Sequence, residues 1–442
     1  MEEENIDDIQ NDMPMHYAYH RVNYDCELPD SVIEKEVPKE VKEAKTFGEL
    51  YTALSTMKTN LESEDTIDSI DITMDVPDIP TDDTSEVMVK LDIVEKVGPE
   101  PYVVSNTTPD HNDFYIGLGM SDMNPTMRMD KLDMFGSYSL LRGNREFVVK
   151  YDCKHSIFGC PISLSWKREY INRLKESSVN IFTSGVKASI SDYKKRFQLG
   201  FGLQWRDLSP FGDIEELCIL KTQCSSSMLK ECRPSIKSTL GFQYNYNTLD
   251  DNSWPTEGSL VNLQLEYNGF IGDVNSVKGE CTVQTTIPLT REIDQEAGLL
   301  LHLKGYGGVI QNLNRRRTRY VDRFFLNASH VTGMNIRDFG PKSSPKEGGR
   351  KEGDVLGGDC CASASVALSL PVVISHEYNF GVRARLFYEL GNVWNHHTDL
   401  RSIWGTTRSS FGVGLNIPMS IMSLDLGYLI NQKRFTFSLF MN

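Results

Sequence analysis

The sequence predicts an all-β transmembrane barrel of about 16 antiparallel strands, preceded by one small N-terminal α+β module. Three observations predict this class. Beyond residue 100, apolar and polar side chains alternate in about sixteen segments of roughly 8–12 residues, close to the length that a tilted membrane strand needs. An even strand count closes a sheet without free edges, as hydrocarbon requires. Aromatic side chains recur at the segment ends, where an interfacial girdle would place them: Trp205, Tyr246, Tyr267, Tyr306, Tyr388, Trp394 and Tyr428.

A soluble β-sandwich or propeller also alternates, with its apolar face in the core and its polar face in water. A soluble all-β interaction protein is therefore an alternative interpretation. The longest apolar runs, such as 298–301, are far shorter than the ~18 residues of a membrane helix, so helical spans are excluded.

Charge is distributed unevenly along the 442 residues. The chain has 61 acidic and 46 basic side chains, a net charge of −15, and 27 of the acidic but only 8 of the basic ones lie in residues 1–100. This asymmetry indicates a boundary near residue 100. The acidic first part also predicts no nucleic-acid partner, because phosphates would repel it.

Residues 1–15 are polar and acidic and predict a flexible tail. Residues 16–97 predict a small β-α-α-β-β module, in which an acidic turn at Asp78–Asp83 joins the last two strands. Its clearest helix repeats apolar residues at 3.6-type spacing from Phe47 to Leu61. The other elements are a strand over His16–Cys26, a helix over Val32–Ala44, and two alternating strands over Ile70–Val76 and Val87–Ile93.

Residues 101–442 predict the barrel. Alternation is clear in Phe197–Trp205, Val261–Tyr267 and Met422–Tyr428. In the strand Val382–Glu389 the same alternation turns Arg383, Arg385, Phe387 and Glu389 to the lumen.

One connection, residues 309–356, is far longer than a hairpin turn and predicts a functional loop. If it folds into the lumen, Arg337 could form a bidentate contact with Glu389 on the wall, because a buried carboxylate needs a partner. The alternative is a solvated loop arginine and a carboxylate that faces pore water. The pattern alone favours that alternative.

The barrel closes where Tyr102–Thr107 meets Phe435–Met441. The first segment is short and follows Pro101, so it should form few ladder hydrogen bonds and make this join the weakest line of the barrel. The alternative is an ordinary closure that never opens.

Enzyme motifs are absent from the sequence: there is no phosphate-binding G-x-x-x-x-G-K-[ST] loop, no G-x-S-x-G elbow and no H-E-x-x-H pair. The nine cysteines follow no metal or disulfide spacing. We therefore expect a protein that is not an enzyme and that uses no cofactor and no metal.

Four stretches resemble the central β-barrel subunit of the mitochondrial sorting and assembly machinery (SAM), related to the bacterial BamA-type barrel-assembly insertases. One is the strand pair from Pro255 to Val274, and another is Leu386–Asn392. The other two are Asp322–Leu326 followed by Ile336–Phe339, and Leu356–Asp359. The resemblance is strongest over 255–442, with a weaker echo over 16–97 of the family's single POTRA (polypeptide-transport-associated) module. Asp338 stands where the family motif has glycine.

The resemblance implies an insertase that folds precursor β-barrel proteins into the mitochondrial outer membrane without ATP, through a lateral gate between first and last strands. The N-terminal module would lie in the intermembrane space, and accessory SAM subunits would bind on the cytosolic side. A polypeptide-translocation channel or passive pore is the alternative. The resemblance implies three sets of site residues. The lumen-loop motif would be Ile336, Arg337, Asp338, Phe339 and Gly340, and the wall that it contacts would be Glu389, Gly391, Gly358 and Asp359. The gate would be formed by Tyr102, Val103, Val104, Ser105, Asn106, Thr107, Phe435, Phe437, Ser438 and Leu439.

Overall fold

The computed structural model describes residues 16–19, 28–44, 46–62, 64–75, 86–96, 98–108, 113–156, 159–210, 224–251, 254–290, 298–313, 317–344, 352–372, 381–418 and 422–441. The predicted tail (1–15), the turn Asp78–Asp83 and part of the predicted first strand lie outside these residues. The chain divides into two compact units. The first holds residues 1–101, 120–133 and 150–162, and the second holds the remainder. No helix in the described part of the chain is both long and apolar enough to cross a membrane.

The N-terminal module is α+β, with a three-stranded sheet in the order β1-β3-β2. One face of helix α3 carries Leu50, Leu54, Met57 and Leu61 at helical spacing, and all four are buried. They pack with alternate strand residues such as Leu91 into the module's core. The elements are β1 (His16–Tyr19), α1 (Asp30–Glu36), α2 (Lys39–Glu43), α3 (Phe47–Glu62), β2 (Ile67–Asp75) and β3 (Glu86–Glu95).

The predicted single helix over Val32–Ala44 is wrong, because the chain forms two helices there, α1 and α2. Pro38 lacks an N–H donor and disfavours helical backbone at the preceding residue. Val37 accordingly has ψ 114° and ends α1, while Pro38 precedes the first residue of α2.

An ion cluster lies within the first unit. Lys154 Nζ lies 3.0 Å from Glu36 and 2.7 Å from Glu64, and His155 lies 2.5 Å from Glu36. Burial acts to raise the pKa of Glu36, but His155 and Lys154 outweigh it and lower that pKa. The carboxylate of Glu36 therefore stays charged beside its two basic partners.

Sixteen further strands form one sheet in sequence order from β4 to β19, with antiparallel registers, which confirms the predicted barrel class. The central strands have 12–15 residues, whereas β18 and β19 have eight each. The strands are β4 (Gly98–Thr108), β5 (Asp113–Met123), β6 (Asp130–Ser139), β7 (Arg145–Cys153), β8 (Ile162–Arg173), β9 (Val179–Ser191), β10 (Phe197–Pro210), β11 (Ser235–Asn247), β12 (Gly258–Gly272), β13 (Ser276–Pro288), β14 (Leu300–Asn312), β15 (Cys360–Pro371), β16 (Arg383–Trp394), β17 (Arg408–Pro418), β18 (Met422–Leu429) and β19 (Arg434–Met441).

Exposure follows the predicted alternation. Five apolar residues of β10, at every second position from Phe197 to Trp205, are 38–46% exposed. On β16, Leu386 and Tyr388 are exposed, whereas Phe387 between them and Glu389 after them are buried. The exposed apolar face is the one that a membrane barrel presents to lipid.

Two strand boundaries differ from the prediction. The first barrel strand is not short, because β4 begins at Gly98 rather than at Tyr102 and includes Pro99 and Pro101. Proline donates no ladder hydrogen bond and occurs in sheets mainly on edge strands, so these residues fit a strand at one end of the sheet order. The long connection spans residues 313–359 rather than 309–356, because β14 continues to Asn312.

Candidate functional site

The connection 313–359, here called the interior segment, packs against inward-facing residues of the barrel wall. Three short helices lie in connections between barrel strands: α4 (Leu174–Ser177), α5 (Ser226–Leu229) and α6 (Leu400–Thr406). Two apolar clusters hold the interior segment, and burying each large apolar side chain contributes about 1.5–3 kcal/mol. The buried members of the first are Ile310, Phe324, Leu326, Val331, Phe339, Cys361 and Val393, and those of the second are Val179, Ile181, Leu208, Cys224, Met228 and Tyr320.

Asp322 is a deeply buried charged anchor of the interior segment. Its Oδ1 accepts a 2.7 Å bond from Arg206 Nη1 of β10 and lies 3.2 Å from Lys237 Nζ of β11. Lys237 also pairs with Glu266 of β12 at 3.2 Å. Asp322 and Arg206 are only 4% and 2% exposed, so the charge of each must be stabilised by the opposite charge of the other.

The pKa of Asp322 reflects this environment. Burial acts to raise it, but Lys237 and Arg206 together outweigh burial and hold the pKa below its usual value. The ion pair therefore persists as pH falls to the ordinary aspartate range. The sequence prediction missed the pairing, although alternation outward from Trp205 does turn Arg206 inward.

Arg337 does not pair with Glu389, so that predicted contact is wrong. Its Nη1 donates to the carbonyl oxygens of Lys175 (2.8 Å) and Glu176 (3.2 Å) in α4. Its Nη2 donates to Glu352 Oε2 (3.0 Å) and Gly353 O (3.1 Å) on the returning arm of the interior segment. The planar guanidinium thus joins the β8–β9 turn to both arms of the interior segment, because its fork matches several acceptors at once.

Glu389 contacts the interior segment through the backbone. Its Oε2 accepts a 2.6 Å hydrogen bond from the Thr332 N–H, and its Oε1 accepts a 3.3 Å bond from Ser365 Oγ. Among the described residues, one backbone donor and one hydroxyl bind the buried carboxylate, and it has no cationic partner there.

Glycines allow close approach of the interior segment to the wall. A Cβ on Gly391 would lie 2.8 Å from Val331 Cγ2, and one on Gly358 would lie 2.6 Å from Trp394 O. Asp359 accepts a 2.6 Å bond from Thr318 Oγ1. Larger side chains at either glycine would push the interior segment away from β16.

The residues around Arg337 form a short 3-10 helix over Ile336–Asp338. Asp338 has no positive φ, and its Oδ2 accepts a 2.7 Å bond from the Asn335 N–H as half of a capping box. Aspartate therefore fits a position where the sequence resemblance implies glycine. Gly340, with φ +73°, takes the left-handed conformation instead.

The tip of the interior segment touches the last strands of the sheet. A Cβ on Gly333 would overlap Leu429 Cδ1 of β18. The neighbouring Met334 Sδ accepts a 3.6 Å bond from Gln432 Nε2 in the β18–β19 turn. A displacement of the Gly333–Met334 tip would therefore remove these contacts from the β18–β19 hairpin.

The residues of the expected gate lie on the two terminal strands of the sheet order, β4 and β19. The Tyr102 ring stacks with Phe135 at 6.2 Å and covers Gly119, while Val103 and Val104 are exposed. Phe435 is 80% exposed. Ser105 is half-buried, and the side chains of Asn106, Thr107, Phe437, Ser438 and Leu439 lie outside the described part of the chain.

Comparison with known proteins shows where this architecture recurs. The family model of the Omp85 superfamily domain matches residues 137–439. A SAM50-like protein of Schizosaccharomyces pombe is 24% identical over 371 residues, covering 76% of this chain and 72% of its own. The sorting and assembly machinery component 50 homolog A of Xenopus laevis is 27% identical over 343 residues, covering 67% and 68%.

Solved structures show the same fold at low sequence identity. The structure of BamA from Haemophilus ducreyi lacking POTRA domains 1–3 superposes with a TM-score of 0.71 at 17% identity, covering 96% of this chain and 84% of that one. CdiB from Acinetobacter baumannii gives a TM-score of 0.55 at 14% identity, covering 98% and 74%.

Proposed function

The chain belongs to the Omp85 superfamily as a barrel of the SAM50 type, and on this premise we propose that it is an insertase for precursor β-barrel proteins. It folds and inserts them into the mitochondrial outer membrane through a lateral gate between β4 and β19. The process uses no ATP.

The shortness of the last hairpin is the observation that supports a lateral gate. In the described part of the sheet, β18 and β19 have eight residues each, whereas β12 has fifteen. Each ladder hydrogen bond contributes about 0.5–1.5 kcal/mol net, so a shorter strand is easier to separate from its neighbour. On the other side of the join, Pro99 and Pro101 of β4 have no backbone N–H to donate.

The interior segment couples the lumen to this hairpin. Asp322 and Arg337 fasten it to the wall at β10, β11 and α4, and the Gly333–Met334 tip contacts β18 and the turn beyond it. A client that displaces the tip removes support from the last hairpin while the base stays anchored.

Clients enter by β-augmentation. The terminal strand of a precursor pairs with the edge of β4 and takes the place of β19, with backbone bonds giving affinity and alternate side chains giving specificity. Insertion then proceeds downhill as the client completes its own hydrogen bonds and buries apolar side chains in lipid.

The N-terminal module acts as a POTRA module in the intermembrane space. Residues 1–100 carry 27 acidic and 8 basic side chains, and this charge favours encounter with basic or amphipathic precursor segments. Accessory SAM subunits bind on the cytosolic side.

A seam-locking disulfide tests the proposal. Ser105→Cys with Ser438→Cys is introduced into the full chain, and client assembly is followed before and after oxidation. We expect oxidation to stop assembly and reduction to restore it. Full-rate assembly by the oxidised, crosslinked protein would contradict a lateral gate.

A matched control places the two thiols away from the seam. Leu415→Cys with Leu426→Cys links directly paired, exposed positions of β17 and β18, so oxidation there should leave assembly unchanged. The channel alternative predicts another pattern, in which seam locking leaves polypeptide transport or ion conductance intact in planar bilayers.

A further inference from the structure

A cavity of about 210 Å³ lies on the inward side of the barrel wall, between β5, β7, β8 and the interior segment. Its lining includes Arg142, Asn144, Arg173 and Tyr115 from the wall and Ile336 from the interior segment. At ~30 Å³ per water the volume corresponds to about seven waters, room for a compact polar group. We propose that this cavity is a binding site for a phosphate group.

Two arginines that line the cavity have buried donors without partners. Arg142 is held by Glu176 through bonds of 3.1 and 2.9 Å, and its side chain is 9% exposed, yet its Nε–H has no hydrogen-bond partner among the described residues. Arg173 Nη1 is buried and unpartnered in the same part of the chain. A buried donor without an acceptor costs about 1–3 kcal/mol, and more when it is charged. Neither atom is accessible to water in this structure, so an oxyanion in the adjoining cavity supplies the two acceptors when the guanidinium groups turn toward it.

The charge balance around the cavity favours an anion. Glu146 and Glu169 also line it, but Lys167 lies 2.7 and 3.4 Å from them. Neither Arg145 nor Arg173 is a partner in an ion pair between described residues. Arg145 and Arg173 carry two positive charges, whereas Lys167 with Glu146 and Glu169 carries one net negative charge. Because Arg142 and Glu176 cancel each other, the group as a whole keeps one net positive charge.

A phosphate group fits these donors by shape. Its several oxygens accept hydrogen bonds in different directions, so one group can bridge two separate guanidinium ions. A phosphate on a soluble molecule and the phosphate of a lipid headgroup share this chemistry.

Occupancy would act on the interior segment. The Arg173 guanidinium lies 4.3 Å above the Phe325 ring, and Ile336 adjoins Arg337. Glu176 binds Arg142 through its side chain and Arg337 through its carbonyl oxygen. A ligand at this site would therefore strengthen the attachment of the interior segment to the β8–β9 turn.

Titration of the full chain tests the site. The protein in phosphate-free detergent is titrated with inorganic phosphate and, separately, with lysophosphatidic acid, by calorimetry and by hydrogen exchange of residues 174–178 and 317–340. We expect saturable binding of at least one probe, with slower exchange in both peptides. Binding of inorganic phosphate indicates a soluble source, and binding of the lipid alone indicates a headgroup.

Variants assign the binding to the cavity. Arg142→Gln and Arg173→Gln should each weaken it roughly ten- to a hundredfold, because each removes charged donors. Arg196→Gln, in an exposed turn where Arg196 contacts Asp192, is the matched control and should bind as wild type does. If either cavity variant misfolds, the wild-type titration still decides: failure of both probes to bind at millimolar concentration overturns the proposal, as does equal binding by folded cavity variants.

Discussion

Replacing Asp322 by alanine should release the base of the interior segment. The substitution leaves Arg206, which is 2% exposed, without its 2.7 Å partner, and leaves Lys237 with Glu266 alone. Removing one member of a buried ion pair costs about 3–5 kcal/mol. Since 1.4 kcal/mol is a factor of ten, the local opening equilibrium should rise about a hundredfold or more.

Hydrogen exchange of residues 317–326 measures this opening, in the purified full chain in detergent. Asp322→Ala should speed exchange there by about that factor while the strands β12–β14 stay protected. Glu352→Ala is the control, because Glu352 is 76% exposed in its pair with Arg337 and its loss should cost under about 1 kcal/mol.

A double variant separates lost charge from lost packing. Asp322→Leu with Arg206→Met replaces the ion pair by apolar groups, and such replacements are often neutral. We expect it to restore most of the protection, with Lys237 still paired to Glu266 at 3.2 Å. Unchanged exchange in Asp322→Ala would refute the reasoning that this pair anchors the segment.

Three further predictions concern the same segment. Arg337→Ala should make residues 174–178 and 352–356 exchange hydrogen faster, because Arg337 binds both stretches. A double-mutant cycle of Arg337→Ala with Glu389→Gln should give a coupling energy near zero, because the two side chains do not touch. A coupling energy above about 1 kcal/mol would contradict the described contacts. Gly391→Leu should displace the segment from β16 and impair assembly, since even its Cβ would lie 2.8 Å from Val331, whereas Gly305→Leu, with nothing within 4 Å of its Cβ, should be tolerated; equal assembly by both variants would disprove the close packing. Burial, aided by Lys304, lowers the pKa of His330 to about 4 from 6.5, so the folded state binds fewer protons than the unfolded chain between these values; proteolysis of residues 327–334 should accordingly accelerate as pH falls from 6.5 to 4, and His330→Gln should remove that dependence.

The sequence was sufficient for the strands because the signal is local. Alternation over a few residues places Phe197–Trp205 on the outward face, and helical spacing bounds the helix Phe47–Glu62. The break at Pro38 was equally local and was missed because the apolar pattern continues across it. The extent of β4 was missed because Pro99 and Pro101 are poor strand formers that an edge position tolerates.

The contacts of the interior segment could not be predicted in the same way. The sequence singles out Arg337, but its acceptors in α4 lie about 160 residues away and are backbone carbonyls, which no side-chain pattern reveals. The Asp322–Arg206 pair likewise depends on the depth to which the segment enters the lumen. Alternation gives the face on which a side chain lies, and only the folded chain shows which loop reaches it.

The central claim is that an incoming strand pairs with β4 at the seam. Cysteine scanning between residues 102–107 and the terminal strand of an arrested precursor tests it most directly. Disulfides should form in one fixed register along β4, while the Ser105→Cys and Ser438→Cys pair within the protein ceases to crosslink. Precursor that never crosslinks to β4, or that crosslinks equally to an outward position on β16 such as Leu386→Cys, would contradict the claim.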